Sequence, residues 1–226
     1  ALRMQPQPAA QPARQRRAKS ERLSPCMSFR VRTPNSRTFC RNRADKTDLC
    51  GRTSRITGDL GTPELTNGGI GYGLGHIVAQ RARTAREGVE IAASLLDKYG
   101  YTASGRAYQI VDKNEGWVLQ VVKGKHYVAK RVPDDEVMFI PNWYTIRNVD
   151  LSDKKNYVAS NDIVTYAINR GWYTPSTPSD FSDFDFAIAY QDPNQKQDGN
   201  IYRQKNALRM ILGQEPETLR VFSVKP

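Results

Sequence analysis

The sequence predicts an α+β fold built on antiparallel sheet, and three observations carry that prediction. A capped amphipathic helix begins near Thr84, a series of closely spaced β runs follows between Ala107 and Ile140, and helical periodicity returns after residue 160. Strands and helices gathered in blocks, rather than alternating, favour antiparallel pairing.

The first helix is announced by Thr84-Ala85-Arg86-Glu87, a capping box in which hydroxyl and carboxylate each satisfy a free backbone amide at the helix start. Val89, Ala92, Ala93 and Leu96 then recur at helical spacing, and Gly100 ends the run. One apolar face must therefore pack against a partner, which the next segments supply.

Three β runs are expected at Ala107 to Asp112, Gly116 to Val122 and Lys125 to Val132, separated by Lys113-Asn114-Glu115 and Lys123-Gly124. Connections this short join antiparallel neighbours. A fourth run, Val137 to Ile140, is reached through Pro133-Asp134-Asp135 and stops at Pro141-Asn142. A second helix is predicted from Ser160 or Asn161 to Arg170, with Ile163, Val164, Ala167 and Ile168 inward and Gly171 as its stop. A further strand is expected over Phe184 to Tyr190, where aromatic and polar residues alternate, and a last helix over 200–212, closed by Gly213.

Upstream of residue 67 the text changes. The first 66 residues hold all three cysteines but no tyrosine or tryptophan, and 14 Lys or Arg against 5 Asp or Glu give them +9 of the net +11. Rich in Pro, Gln, Arg and Ser and without apolar periodicity, residues 1–66 read as a disordered basic leader ahead of a domain at 67–226. Wrong-frame translation would produce a similar junction.

A basic leader raises the possibility of a nucleic-acid partner, since clustered cations release counterions on binding phosphates, but the remaining 160 residues are nearly neutral at +2. Nowhere does an apolar run reach the length of a membrane span, so no membrane partner is expected. Cys26, Cys40 and Cys50, with only His76 and His126 to assist, match no zinc spacing, and no metal or other cofactor is expected. The run Gly68 to Gly75 follows no strand, so it reads as a flexible entry loop rather than a phosphate cradle.

Two residues stand out as candidate chemistry. Asn142 follows an apolar run and a proline, where an amide can be a rigid oxyanion donor or simply an ordinary turn residue. Arg203, near a helix start, can bind a carboxylate or sit on the surface. His126 reads as a packing or surface residue, and Asp134 and Asp135 read as a solvated turn.

The run Arg81 to Val89, then Gly116-Trp117, Lys125-His126-Tyr127-Val128-Ala129, Arg131-Val132-Pro133-Asp134-Asp135 and Pro141-Asn142, resembles the cysteine dipeptidases related to dipeptidase A and secernin. These are N-terminal-nucleophile hydrolases, and the resemblance covers residues 67–226. It implies an αββα sandwich with antiparallel sheets, here incomplete, and a dipeptide substrate. It also implies a cysteine made N-terminal by propeptide removal, whose own α-amine is the base for an acyl-enzyme mechanism. By more distant similarity to bile-salt hydrolases and penicillin acylases, Asn142 takes the oxyanion role and Arg203, with Arg209 as competitor, that of the basic residue near the late helix. The family's Cys-Thr opening and Arg-Asn-x-Asp segment are not matched, and Cys26 with Ser28 echoes them too close to the first helix to leave room for the missing strands. Relatives also continue beyond residue 226, so a truncated dipeptidase is expected. The alternative is a basic-tailed nucleic-acid-binding protein with a scaffold domain.

Overall fold

The computed structural model describes residues 65–194, 198–216 and 223–225, together with the backbone of Phe39–Cys40. Helix α2, Ala85–Tyr99, starts at the expected cap: Thr84 is extended and its hydroxyl accepts the Glu87 N–H at 3.1 Å. The return bond differs from the predicted box. Glu87 Oε2 accepts the N–H of Arg83 at 2.7 Å, one residue upstream of Thr84, and also draws in the Arg83 guanidinium. Gly100, at φ 73°, ends the helix with its N–H on the Leu96 carbonyl, a conformation that favours glycine.

Directly after that glycine the chain enters the sheet. Strands β1 (Phe39–Cys40), β2 (Tyr101–Val111), β3 (Gly116–Gly124), β4 (Tyr127–Arg131) and β5 (Tyr157–Ala159) lie in sequence order, every neighbour antiparallel. The meander is as expected, although β2 begins six residues before the predicted Ala107. Its early part escaped the pattern because the ladder with β3 is irregular between Tyr101 and Gly105, where alternation breaks down. Asp112 fastens the turn between β2 and β3 to α2, accepting the Asn114 and Glu115 N–H groups on one oxygen and the Ala85 N–H on the other at 2.6 Å. Burial alone would raise this carboxyl, but the three N–H donors outweigh it and hold Asp112 below its ordinary value.

Helix α1, Gly73–Arg81, corrects the expectation of a flexible entry loop over Gly68 to Gly75. Only its first half is loop; Leu74 and Val78 are buried against α2 and the sheet, and that burial offsets the helix cost of Gly73 and Gly75. Gly69 is confined by close approach, since a Cβ there would lie 2.9 Å from the Gly100 carbonyl oxygen.

The predicted fourth strand, Val137 to Ile140, is also corrected. Apart from one antiparallel bridge between Val137 and Val224, the segment is irregular, although Met138, Phe139 and Ile140 are buried. Apolar content was right and conformation wrong: beyond Val137 no partner strand runs alongside the segment among the described residues, and Pro141, with no N–H to give to a ladder, closes it. The expected strand at Phe184 to Tyr190 is instead helix α4, Phe186–Tyr190. Asp185 caps it, accepting the Ile188 N–H at 2.9 Å, and this local bond outcompetes the alternating pattern. Phe186, Ala187, Ala189 and Tyr190 then form one buried helical face.

Helix α3, Ile163–Asn169, buries Ile163, Val164 and Ala167 and is followed by Gly171 at φ 67°. Helix α5, Asp198–Leu212, is followed by Gly213 at φ 70°. Both lie where expected.

Two cores result, one on each face of the sheet. Leu74, Val89, Leu96, Trp117, Leu119 and Val121 are among those joining α1 and α2 to one face, while Val118 and Val122 pack with Ile140, Ile146, Phe184, Phe186 and Tyr190 on the other. Central strand β3 is therefore buried on both sides. The architecture is α+β with a single five-stranded sheet among the described residues. No helix among them is long and apolar enough to cross a membrane. The expected disorder of residues 1–64 lies outside the described residues, as does Cys26, with only the backbone of Phe39–Cys40 placed among them.

Candidate active site

Buried irregular chain must still satisfy its backbone polar groups, and residues 142–146 do so through amide side chains. Gln120, fully buried in the middle of β3, accepts the N–H groups of Thr145 and Ile146 on Oε1, both at 3.1 Å, and donates from Nε2 to the Thr145 hydroxyl at 2.9 Å. Gln191 Oε1 accepts the Tyr144 N–H at 3.1 Å. Tyr144 passes its hydroxyl across to the Val121 carbonyl at 2.8 Å. Gly105, at φ 149°, leaves space for that hydroxyl, because a Cβ there would sit 2.2 Å from it.

Asn142 heads this segment, half-buried beside the buried Pro141. Its backbone is held in both directions by one side chain from α5: the Asn142 N–H donates to Asn200 Oδ1, and Asn200 Nδ2 donates to the Asn142 carbonyl, each at 3.1 Å. Asn200 is 5% exposed. The same Oδ1 accepts an Arg203 N–H at 2.7 Å, while Arg203 Nε bonds the Gly199 carbonyl at 3.0 Å. The two residues singled out in the sequence, 61 positions apart, thus meet through a shared amide. Arg209, the competitor, instead faces the exposed Glu215 at 3.5 Å.

Other candidates take structural positions. His126 lies in the turn between β3 and β4, buried, with its ring centroid 3.9 Å from that of Tyr166 and Nε2 3.1 Å from Asp162 Oδ2. Burial lowers its pKa; Asp162 opposes the shift and Arg170 adds to it. Asp134 accepts from Arg131 and Asp135 pairs with Lys225, both on the exposed turn. Among the described residues no cluster of His, Cys, Asp and Glu suited to a metal occurs. Sequence reading missed Gln120, Gln191 and Asn200. The signal for Gln120 was present, an amide at a core-facing position inside Val-Leu-Gln-Val-Val, but none marked Asn200 among the polar residues of α5.

A sequence profile of peptidase family C69 matches residues 46–218, a span that takes in α1 to α5, β2 to β5 and the whole amide cluster. A probable dipeptidase B of Streptococcus pyogenes is 32% identical over 112 residues, 50% of this chain and 22% of that protein. A probable dipeptidase of Latilactobacillus sakei is 28% identical over 156 residues, 69% of this chain and 33% of the relative. For a dipeptidase of Bifidobacterium longum the figures are 38% over 95 residues, covering 40% and 17%. The chain thus matches a third or less of the length of each of these relatives. These matches favour the peptide hydrolase reading over the nucleic-acid-binding one. With a family match over most of its length, the chain belongs to peptidase family C69.

Proposed function

We propose that this chain is the oxyanion-binding portion of a dipeptide hydrolase acting through a cysteine nucleophile. The observation that carries the reading is the fixed backbone of Asn142, clasped by Asn200 and joined through it to Arg203. An oxyanion donor is effective when its direction is set before charge develops, so that nothing needs to reorganise in the transition state. Asn142 has a braced entry through Pro141 and a backbone bonded on both its N–H and its carbonyl.

In the reaction the cysteine thiol gives its proton to that cysteine's own α-amine as its sulfur attacks the dipeptide carbonyl. The carbonyl oxygen becomes an oxyanion, to which the Asn142 side-chain amide donates. Collapse expels the amino group of the second residue, which takes up a proton, and water then releases the acyl group. Arg203 serves the substrate carboxylate with guanidinium N–H groups other than those on Asn200 and Gly199. The nucleophile is not drawn from residues 51–226, which contain no cysteine. In this reading residues 67–226 are part of an αββα sandwich, with β2 to β5 in one of its two sheets, and most of residues 1–66 precede it as a leader whose Phe39–Cys40 pairs at the sheet edge as β1.

Incubating the purified chain with a panel of dipeptides tests the proposal. Turnover that falls about 100-fold or more in kcat for Asn142→Ala is expected. Absence of turnover across the panel rejects activity for this chain.

A further inference from the structure

We propose that Asn200 is a positioning residue: it sets the orientation of Asn142 through a two-way amide clasp and couples that orientation to Arg203. Its catalytic consequence rests on the dipeptidase reading above, whereas the clasp itself does not.

The hydrogen bonds fix which way round the Asn200 amide stands. Oδ1 receives two donors, the Asn142 N–H at 3.1 Å and an Arg203 N–H at 2.7 Å, and Nδ2 meets an acceptor, the Asn142 carbonyl. A flipped amide would set NH2 against two donors and oxygen against oxygen, so only one orientation is compatible with this surrounding. Asn200 and Asn142 therefore form a ring of two bonds between the same pair of residues. Rotation of the Asn142 peptide units must break both. Because Asn200 is buried, broken bonds there are not replaced by water without opening the contact between α5 and the 138–146 segment.

Asn200 also lies one turn of α5 from Gln204, another buried amide. The inward face of α5 thus carries two amides and Leu208 as its one buried hydrophobic residue, and its directional bonding comes from Asn200, since Gln204 Oε1 is buried without a partner among the described residues.

The chemistry separates this role from a simpler one, in which Asn200 merely anchors Arg203. Substitution Asn200→Asp is nearly isosteric and strengthens an Arg anchor by adding charge. It replaces Nδ2 by an oxygen facing the Asn142 carbonyl, which repels it. A clasp fails in this variant; an anchor survives.

The experiment uses the full chain and its N200D and N200A variants near neutral pH, each first checked for folding by circular dichroism. Backbone amide exchange at Asn142 is read by NMR, and hydrolysis of alanyl-alanine by initial rates. Exchange at Asn142 is expected to accelerate about tenfold or more in N200A, which removes the acceptor of its N–H. The kcat is expected to fall about tenfold or more in both variants, with KM within about twofold in N200D, which keeps the Arg203 contact, because an oxyanion donor acts only as charge develops. Unchanged Asn142 exchange in folded N200A, or an unchanged kcat in folded N200D, overturns the proposal and leaves Asn200 as an Arg203 anchor. Loss of melting temperature with kcat retained assigns it a purely structural part and overturns it equally. If the wild-type chain shows no turnover, the dipeptidase reading fails for this chain, and the exchange measurement alone still decides whether the clasp exists.

Discussion

Trp117, Leu119 and Val121 on one face of β3 meet Leu74, Val89 and Leu96 from α1 and α2, whereas Val118, Gln120 and Val122 on the other meet a layer whose central segment, 142–146, is not regular structure. The helical layer satisfies its own backbone and asks only for apolar contact. The irregular layer cannot, and takes its bonds from Gln120, Gln191 and Asn200. Apolar burial is non-directional and tolerates rearrangement; an amide bond between two fixed groups does not. Asn142, the proposed oxyanion donor, lies at the head of this second layer.

Neighbouring positions on β3 offer the strongest way to break this contrast. Gln120→Leu keeps volume and adds apolar surface, yet leaves the buried N–H groups of Thr145 and Ile146 without their acceptor, and should cost about 3–5 kcal/mol. Leu119→Met, the adjacent residue on the helix-covered face, should cost under about 1.5 kcal/mol. Urea unfolding of both variants measures the difference. Equal losses would remove the distinction between the two faces.

Gly105→Ala attacks the same layer from the sheet side and should cost about 2–4 kcal/mol, combining backbone strain at φ 149° with the collision against the Tyr144 hydroxyl. The two contributions can be separated. Tyr144→Phe removes the hydroxyl that a Cβ would meet, so the double variant should be more stable than the sum of the single changes implies. Strict additivity would show that strain alone is at work and that Tyr144 is not seated by Gly105.

How much of this was legible differs between the faces in the same way. The Thr84 cap, the apolar face of α2, the meander and the glycines ending α2, α3 and α5 are local or periodic features, and each was readable from neighbouring residues. Val137 to Ile140 and Phe184 to Tyr190 had strand-like composition, but whether such a run becomes a strand depends on what meets it: beyond Val137 no described strand runs alongside the first, and the Asp185 cap draws the second into a helix. Local pattern does not encode which amide will arrive from 58 residues away. Asn142 and Arg203 could be picked out singly, through residue type and resemblance, while the amide joining them could not.

His126 gives the smallest and most specific test, because it stands where the β3–β4 turn meets α3 on the second face. Its ring packs against Tyr166, with Tyr190 at 6.1 Å, and its Nε2 reaches Asp162 at the start of α3. Burial favours the neutral ring, Arg170 adds to that preference, and the exposed Asp162 carboxylate offsets part of it, so the folded pKa falls below the ordinary 6.5. With the folded value the lower of the two, the unfolded chain binds the proton first. This contribution to stability is complete above about pH 6.5 and is lost as pH falls from there through the folded pKa. His126→Phe keeps the aromatic contact and removes the titration. Its unfolding free energy should therefore change less between about pH 7.5 and pH 5.5 than that of the unmodified chain, the remaining slope belonging to carboxylates such as Asp112. An identical pH dependence in the two proteins would place His126 among the groups whose charge state does not change on folding, and would mean that the Asp162 pairing fully offsets the burial of the ring.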